Sequence, residues 1–132
     1  YSVKYFPNKS NTINTSLSNT FTEKLIDYIS SQTNLKQKES DGNLSFEGAI
    51  ISYTIKPISI NANETARQNR LMIKIKVIFI NEFDEDLNYE STFSRYKDFP
   101  SEEDLSQVED IYMEQICEEI VEDVFNKAVV NW

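Results

Sequence analysis

The chain has no histidine, one cysteine, two glycines and three prolines among its 132 residues. Without histidine it lacks the commonest metal ligand and the usual general base near neutral pH. With Cys117 alone, no internal disulfide can form. That thiol lies beside Ile116 and Ile120 in an acidic helical stretch, where a small buried apolar group is expected rather than a nucleophile. Gly42 and Gly48 leave no glycine-rich phosphate loop, and no metal-ligand spacing is present. The longest apolar runs are strand-length, far short of the roughly 20 residues a helix needs to span a bilayer. A broad basic face is missing too, since the formal net charge is -9, which argues against nucleic acid as a partner. The first residue, Tyr1, is not methionine, and a trimmed mature chain is expected.

What is present is a sharp separation of charge. From Asp98 to Trp132 there are eleven acidic residues and one basic residue, Lys127, whereas residues 1–97 nearly balance, with twelve bases and eleven acids. Between Lys56 and Ile80, five bases face only Glu64. Within that stretch, Asn63 to Phe79 (NETARQNRLMIKIKVIF) passes from a polar, basic loop into strict alternation. Leu71, Ile73, Ile75, Val77 and Phe79 share one face, and Met72, Lys74, Lys76, Ile78 and Ile80 the other. One face is core and the other carries charge. Arg67, Arg70, Lys74 and Lys76 are thereby expected to gather toward one end of a hairpin.

The rest of the chain reads as five further elements. Ser2 to Phe6 alternates as a short strand that Pro7 ends. Leu17, Phe21, Leu25 and Tyr28/Ile29 predict an amphipathic helix from about Thr15 to Ser31, capped by Asn14 or Thr15. Asp41-Gly42-Asn43 is a turn. Leu44 to Ile58 is a strand closed by Pro57, with a phase change near Gly48 that predicts either a bulge or burial on both faces. After the acidic turn Glu82 to Asp86, Tyr89 to Tyr96 alternates as a last strand, completing an antiparallel meander. Ser101 then caps a long helix with Glu102, Glu103 and Asp104 in its first turn and an apolar stripe of Leu105, Val108, Tyr112, Ile116, Ile120, Val124 and Ala128. The expected fold class is α+β, a βαβββα two-layer sandwich with a four-stranded sheet covered on one face by two helices. A domain of this length hides roughly two thirds of the surface of its unfolded chain, enough for a core without staples.

Carboxylate pairs for acid–base catalysis could be drawn from Glu47, Glu64 and Glu90, but with 22 acidic residues some pair always looks convenient. No catalytic residue, cofactor or metal site is therefore expected. The acidic helix has a bland reading as a solvated face and a sharper one as a surface that turns the basic end toward an anionic partner. The basic residues have the same two readings.

The segments SLSNTFTEKLIDYISSQTNL, GNLSFEGAIISYTIKPISI, NETARQNRLMIKIKVIF, STFSRYKDF and QVEDIYMEQICEEIVEDVFNKAVVNW, in this order, resemble the LptE family of lipopolysaccharide-assembly lipoproteins. The resemblance is collinear and covers nearly the whole chain, which makes residues 1–132 a single LptE-like domain. It implies a sheet backed by two helices and a non-enzymatic function in lipopolysaccharide transport. It also implies a lipid tether on the periplasmic side of the outer membrane and, as partners, an LptD-type β-barrel that the domain plugs and helps assemble, and lipopolysaccharide itself. The lipobox cysteine that carries the family's anchor is not in this sequence, and Cys117, in mid-helix, does not match it. The candidate contacts are Arg67, Arg70, Lys74 and Lys76, because clustered guanidinium and ammonium groups suit lipid phosphate. The competing reading is a periplasmic small-ligand-binding or hydrolytic α/β domain, which predicts a deep pocket where the plug predicts polar loops and little concave apolar volume.

Overall fold

A strand with one apolar and one charged side can be covered on only one face, and the strand around Ile75 organises the molecule on that principle. The computed structural model describes residues 1–11, 16–58 and 68–129. In order, it contains β1 (Ser2–Val3), α1 (Leu17–Gln32), β2 (Leu44–Ile58), β3 (Gln68–Asn81), a 3-10 turn at Glu85–Leu87, β4 (Tyr89–Pro100) and α2 (Leu105–Val129). The strands form one open four-stranded sheet in the order β1-β2-β3-β4. β1 runs parallel to β2, and the other neighbours are antiparallel. The βαβββα order and the α+β class are those expected.

Leu71, Ile73, Ile75, Val77 and Phe79 of β3 are completely buried. They meet Leu17, Phe21, Leu25 and Ile29 of α1 and Met113, Ile116, Cys117, Ile120, Val121 and Val124 of α2 in one apolar cluster. Aromatic rings continue the layer across the strands. Phe46, Phe79 and Tyr89 lie opposite one another in register, with centroids 4.8 and 5.3 Å apart. The Tyr89 hydroxyl donates to the Val124 carbonyl at 2.9 Å, and burial raises the pKa of its phenol. The buried stripe of α2 is wider than the sequence stripe because the helix packs on both the sheet and α1, so Met113, Cys117 and Val121 join it. Burial pushes the Cys117 thiol up to about 12, as fits a core group.

Both glycines mark close backbone approaches. A Cβ on Gly48, whose φ is +156, would stand 1.9 Å from the Lys76 carbonyl oxygen, and one on Gly42 would stand 2.4 Å from the Ser2 amide nitrogen. The bulge itself falls three residues later, where the register passes from Ile50↔Ile75 to Ser52↔Lys74 and Ile51 is the extra residue. This explains the change of phase: Leu44, Phe46 and Ile50 point inward before the bulge, and Tyr53 after it.

Four boundaries differ from expectation. Only Ser2–Val3 of the first strand is in the ladder, because Phe6 turns into the core against Phe21 and its amide donates to Thr22 Oγ1 at 3.1 Å. The helix expected over Thr15 to Ser31 is Leu17–Gln32, and its expected caps, Asn14 and Thr15, lie outside the described residues. Pro57 does not end β2, since pairing continues through Pro57↔Asn69 and Ile58↔Gln68. Beyond Ile50, β2 is an edge strand among the described residues, and an edge tolerates a residue without an amide. Ser101 does not cap α2 either. Phe99 is buried and stacks on Tyr112 at 5.4 Å, which keeps the chain extended as far as Pro100. Asp104 caps instead, its Oδ1 accepting from the Ser106 amide at 3.1 Å, and Glu102 and Glu103 precede the helix.

Candidate functional site: the uncovered face of the sheet

The register places three rows of polar and apolar side chains on the face away from the helices. Lys56, Arg70 and Asp98 lie across one another, as do Thr54, Met72 and Tyr96, and then Ser52, Lys74 and Ser94. Further along, Ala49 lies opposite Lys76 and Thr92, and Glu47 opposite Ile78 and Glu90. Arg70 forms a two-pronged pair with Asp98, Nε to Oδ1 at 2.8 Å and Nη2 to Oδ2 at 3.1 Å. Its guanidinium also stacks 3.9 Å from the centre of the Tyr96 ring. The hydrogen-bonded Asp98 carboxylate raises the Arg70 pKa above its ordinary value. Lys76 meets Glu90 at 2.6 Å and Lys4 meets Glu47 at 3.1 Å, so ion pairs cross the sheet at three levels.

Of the four basic residues singled out in the sequence, Arg67 lies outside the described residues. Arg70 stands near the end of the β2–β3 hairpin, and Lys76 is six positions along β3, roughly 20 Å away at about 3.3 Å per residue. The three described residues thus run down the outer face rather than gathering at its tip. Arg70 and Lys76 are ion-paired, whereas Lys74 and Lys56 are exposed with no carboxylate in ion-pairing range among the described residues.

The acidic helix is less free than its composition suggests. Asp123 takes both prongs of Arg95 at 2.8 and 2.9 Å, Glu119 meets Lys97 at 2.7 Å, and Glu118 meets Lys24 of α1 at 3.1 Å. The carboxylate of Asp123 raises the pKa of Arg95. Arg95 and Lys97 clamp α2 over β4 and were not singled out in the sequence. The available signal was phase, since both share the inward alternation of Tyr89 and Phe93, and a base in that phase needs a carboxylate on the covering layer.

Concave space is shallow. An open depression of about 410 Å³ between the helices is lined by Lys24, Asp27, Tyr28, Glu118 and Glu122 among others. The apolar space between Ile29, Phe46, Phe79 and Phe125 holds only about 10 Å³. Among the described residues no three carboxylate or thiol side chains converge as metal ligands, and no helix is long and apolar enough to cross a membrane.

The model of the lipopolysaccharide-assembly family LptE matches residues 1–128. The chain belongs to the LptE family. Curated protein sequences give no match. Among solved structures, a minor lipoprotein from Acinetobacter baumannii superposes with a TM-score of 0.61 at 10% identity, over 96% of this chain and 94% of the other. Rare lipoprotein B from Shewanella oneidensis gives 0.63 at 9% identity over 98% and 95%, and lipoprotein B from Nitrosomonas europaea 0.56 at 13% identity over 98% and 84%. At such identities these likenesses establish a shared LptE-like fold and nothing about ligands.

Proposed function

We propose that this chain is a non-enzymatic outer-membrane lipoprotein of the lipopolysaccharide transport and assembly machinery, acting as a single domain over residues 1–132. It is held on the periplasmic side by an N-terminal lipid and occupies the lumen of an LptD-type β-barrel, which it plugs and helps assemble. Family membership over residues 1–128 carries this reading. The uncovered sheet face supports it, because a barrel interior is polar and a face crossed by ion pairs suits such a wall better than a lipid or an apolar partner. The shallow surface favours a plug over the small-ligand-binding or hydrolytic reading, which needs a deep enclosed pocket. In this reading Arg67, Arg70, Lys74 and Lys76 meet the barrel wall or lipopolysaccharide phosphate. Lys74 is the readiest of the described three, having no ion pair to exchange among the described residues.

Depletion of the protein in the bacterium that makes it tests the proposal. The barrel protein should fall in amount or fail to assemble, and surface lipopolysaccharide should fall with it. Normal barrel and surface lipopolysaccharide after depletion would contradict the proposal and return the ligand-binding domain to consideration.

A further inference from the structure

Phe83 is 78% exposed at the tip of the β3–β4 connection, far more than any other large apolar side chain among the described residues. An aromatic ring in a slack loop carries no message, but this loop is tied at nearly every position. Asn81, itself buried, accepts from the amides of Phe83 at 2.9 Å and Asp84 at 3.2 Å through Oδ1. The Asn88 side chain accepts from the Asn81 amide, Asp84 accepts from the amides of Asp86 and Leu87, and Glu85 accepts from that of Asn88. The Glu82 amide donates to the Asn43 carbonyl at 2.9 Å, while Asn43 Nδ2 donates to Glu82 Oε2 at 3.1 Å. The backbone is thus ordered in advance, so an occupant that takes up Phe83 need not order it.

Rigid aromatics at the centre of a contact are the usual anchors of protein interfaces. The surroundings decide the occupant. Glu82, Asp84, Glu85 and Asp86, all exposed, share this tip with Phe83. Four carboxylates repel an anionic membrane surface and a second copy of the same tip, and they attract a basic rim. We infer that Phe83 is an anchor for an apolar pocket rimmed by lysine or arginine on a protein partner. This deepens the reading above and rests on it in one respect: the partner used in the test is the LptD-type barrel protein.

The experiment measures binding of the purified barrel to the full-length lipoprotein by interferometry, for wild type, Phe83→Ala and Glu85→Gln/Asp86→Asn, with melting curves for each. Phe83→Ala should weaken binding at least about tenfold with an unchanged melting temperature, as loss of an anchor does. The double variant should mainly slow association, and more so at low salt. Unchanged affinity of Phe83→Ala, with wild type binding normally, overturns the anchor and leaves the barrel reading intact. Failure of the wild type to bind the barrel overturns both. Binding of wild type to phosphatidylcholine vesicles, or its self-association, that is lost in Phe83→Ala overturns the protein pocket in favour of those occupants.

Discussion

The two faces of β3 use the same backbone for opposite purposes. Inward, Leu71, Ile73, Ile75, Val77 and Phe79 are sealed from water between two helices and the neighbouring strands. Outward, Arg70, Lys74 and Lys76 stand in solvent or in exposed ion pairs, with Met72 and Ile78 half-buried between them. Burial of a large aliphatic side chain contributes about 1.5–3 kcal/mol, whereas an exposed ion pair contributes between nothing and about 1 kcal/mol. The inward face therefore holds the fold, and the outward face is free to be chosen for what it meets.

The sharpest way to break this division is from the inside. Ile75→Ala should cost on the order of 3 kcal/mol, read as a fall in melting temperature of about 10 °C. A smaller loss is expected from removing residues 129–132. Val129 packs at the margin of the core near Phe125, whose ring meets Tyr28 edge-on at 5.2 Å, and trimming should lower the melting temperature by several degrees. An unchanged curve would show that these residues serve the partner interface or nothing.

Cys117 gives a third test and a pH signature. In the unfolded chain the thiol ionises near 9, and in the fold only near about 12, because burial disfavours the thiolate. Its contribution is therefore intact below pH 9 and is lost as pH rises toward 12. Between pH 8 and pH 10 the wild type should lose about 1 kcal/mol, measurable by urea titration. Cys117→Ala should cost about 1 kcal/mol at pH 7, flatten that alkaline decline and leave partner binding unchanged. A decline of equal size in the variant would assign it to other groups, with the half-buried Tyr89 phenol first among them.

The strands and helices were legible in the sequence where one period dominated, as in Leu71 to Phe79 and in Leu17 to Ile29. Boundaries were lost where one buried side chain overruled local chemistry. Phe99 holds Pro100 in β4 and moves the helix start to Leu105, past a serine well suited to cap it. The outer face was legible as a set of residues but not as a set of pairs. Arg70–Asp98 and Arg95–Asp123 each join positions 28 residues apart, a closeness that only the register and the helix docking create. Phe83 was passed over because composition marked its turn as acidic, and exposure of a single ring leaves no periodic trace.

The most direct measurement separates stability of the fold from binding of the partner. Arg67, Arg70, Lys74 and Lys76 are replaced together by glutamine, and the variant is assayed against wild type for recovery of the barrel protein and, separately, of lipopolysaccharide, at low and physiological salt. The melting temperature should shift by no more than about 2 °C, since exposed charges stabilise little. Recovery of at least one partner should fall, with the wild-type advantage greatest at low salt, where screening is weakest. Equal recovery of both at either salt, with circular dichroism unchanged, would contradict the account and leave those four residues as a solvated face.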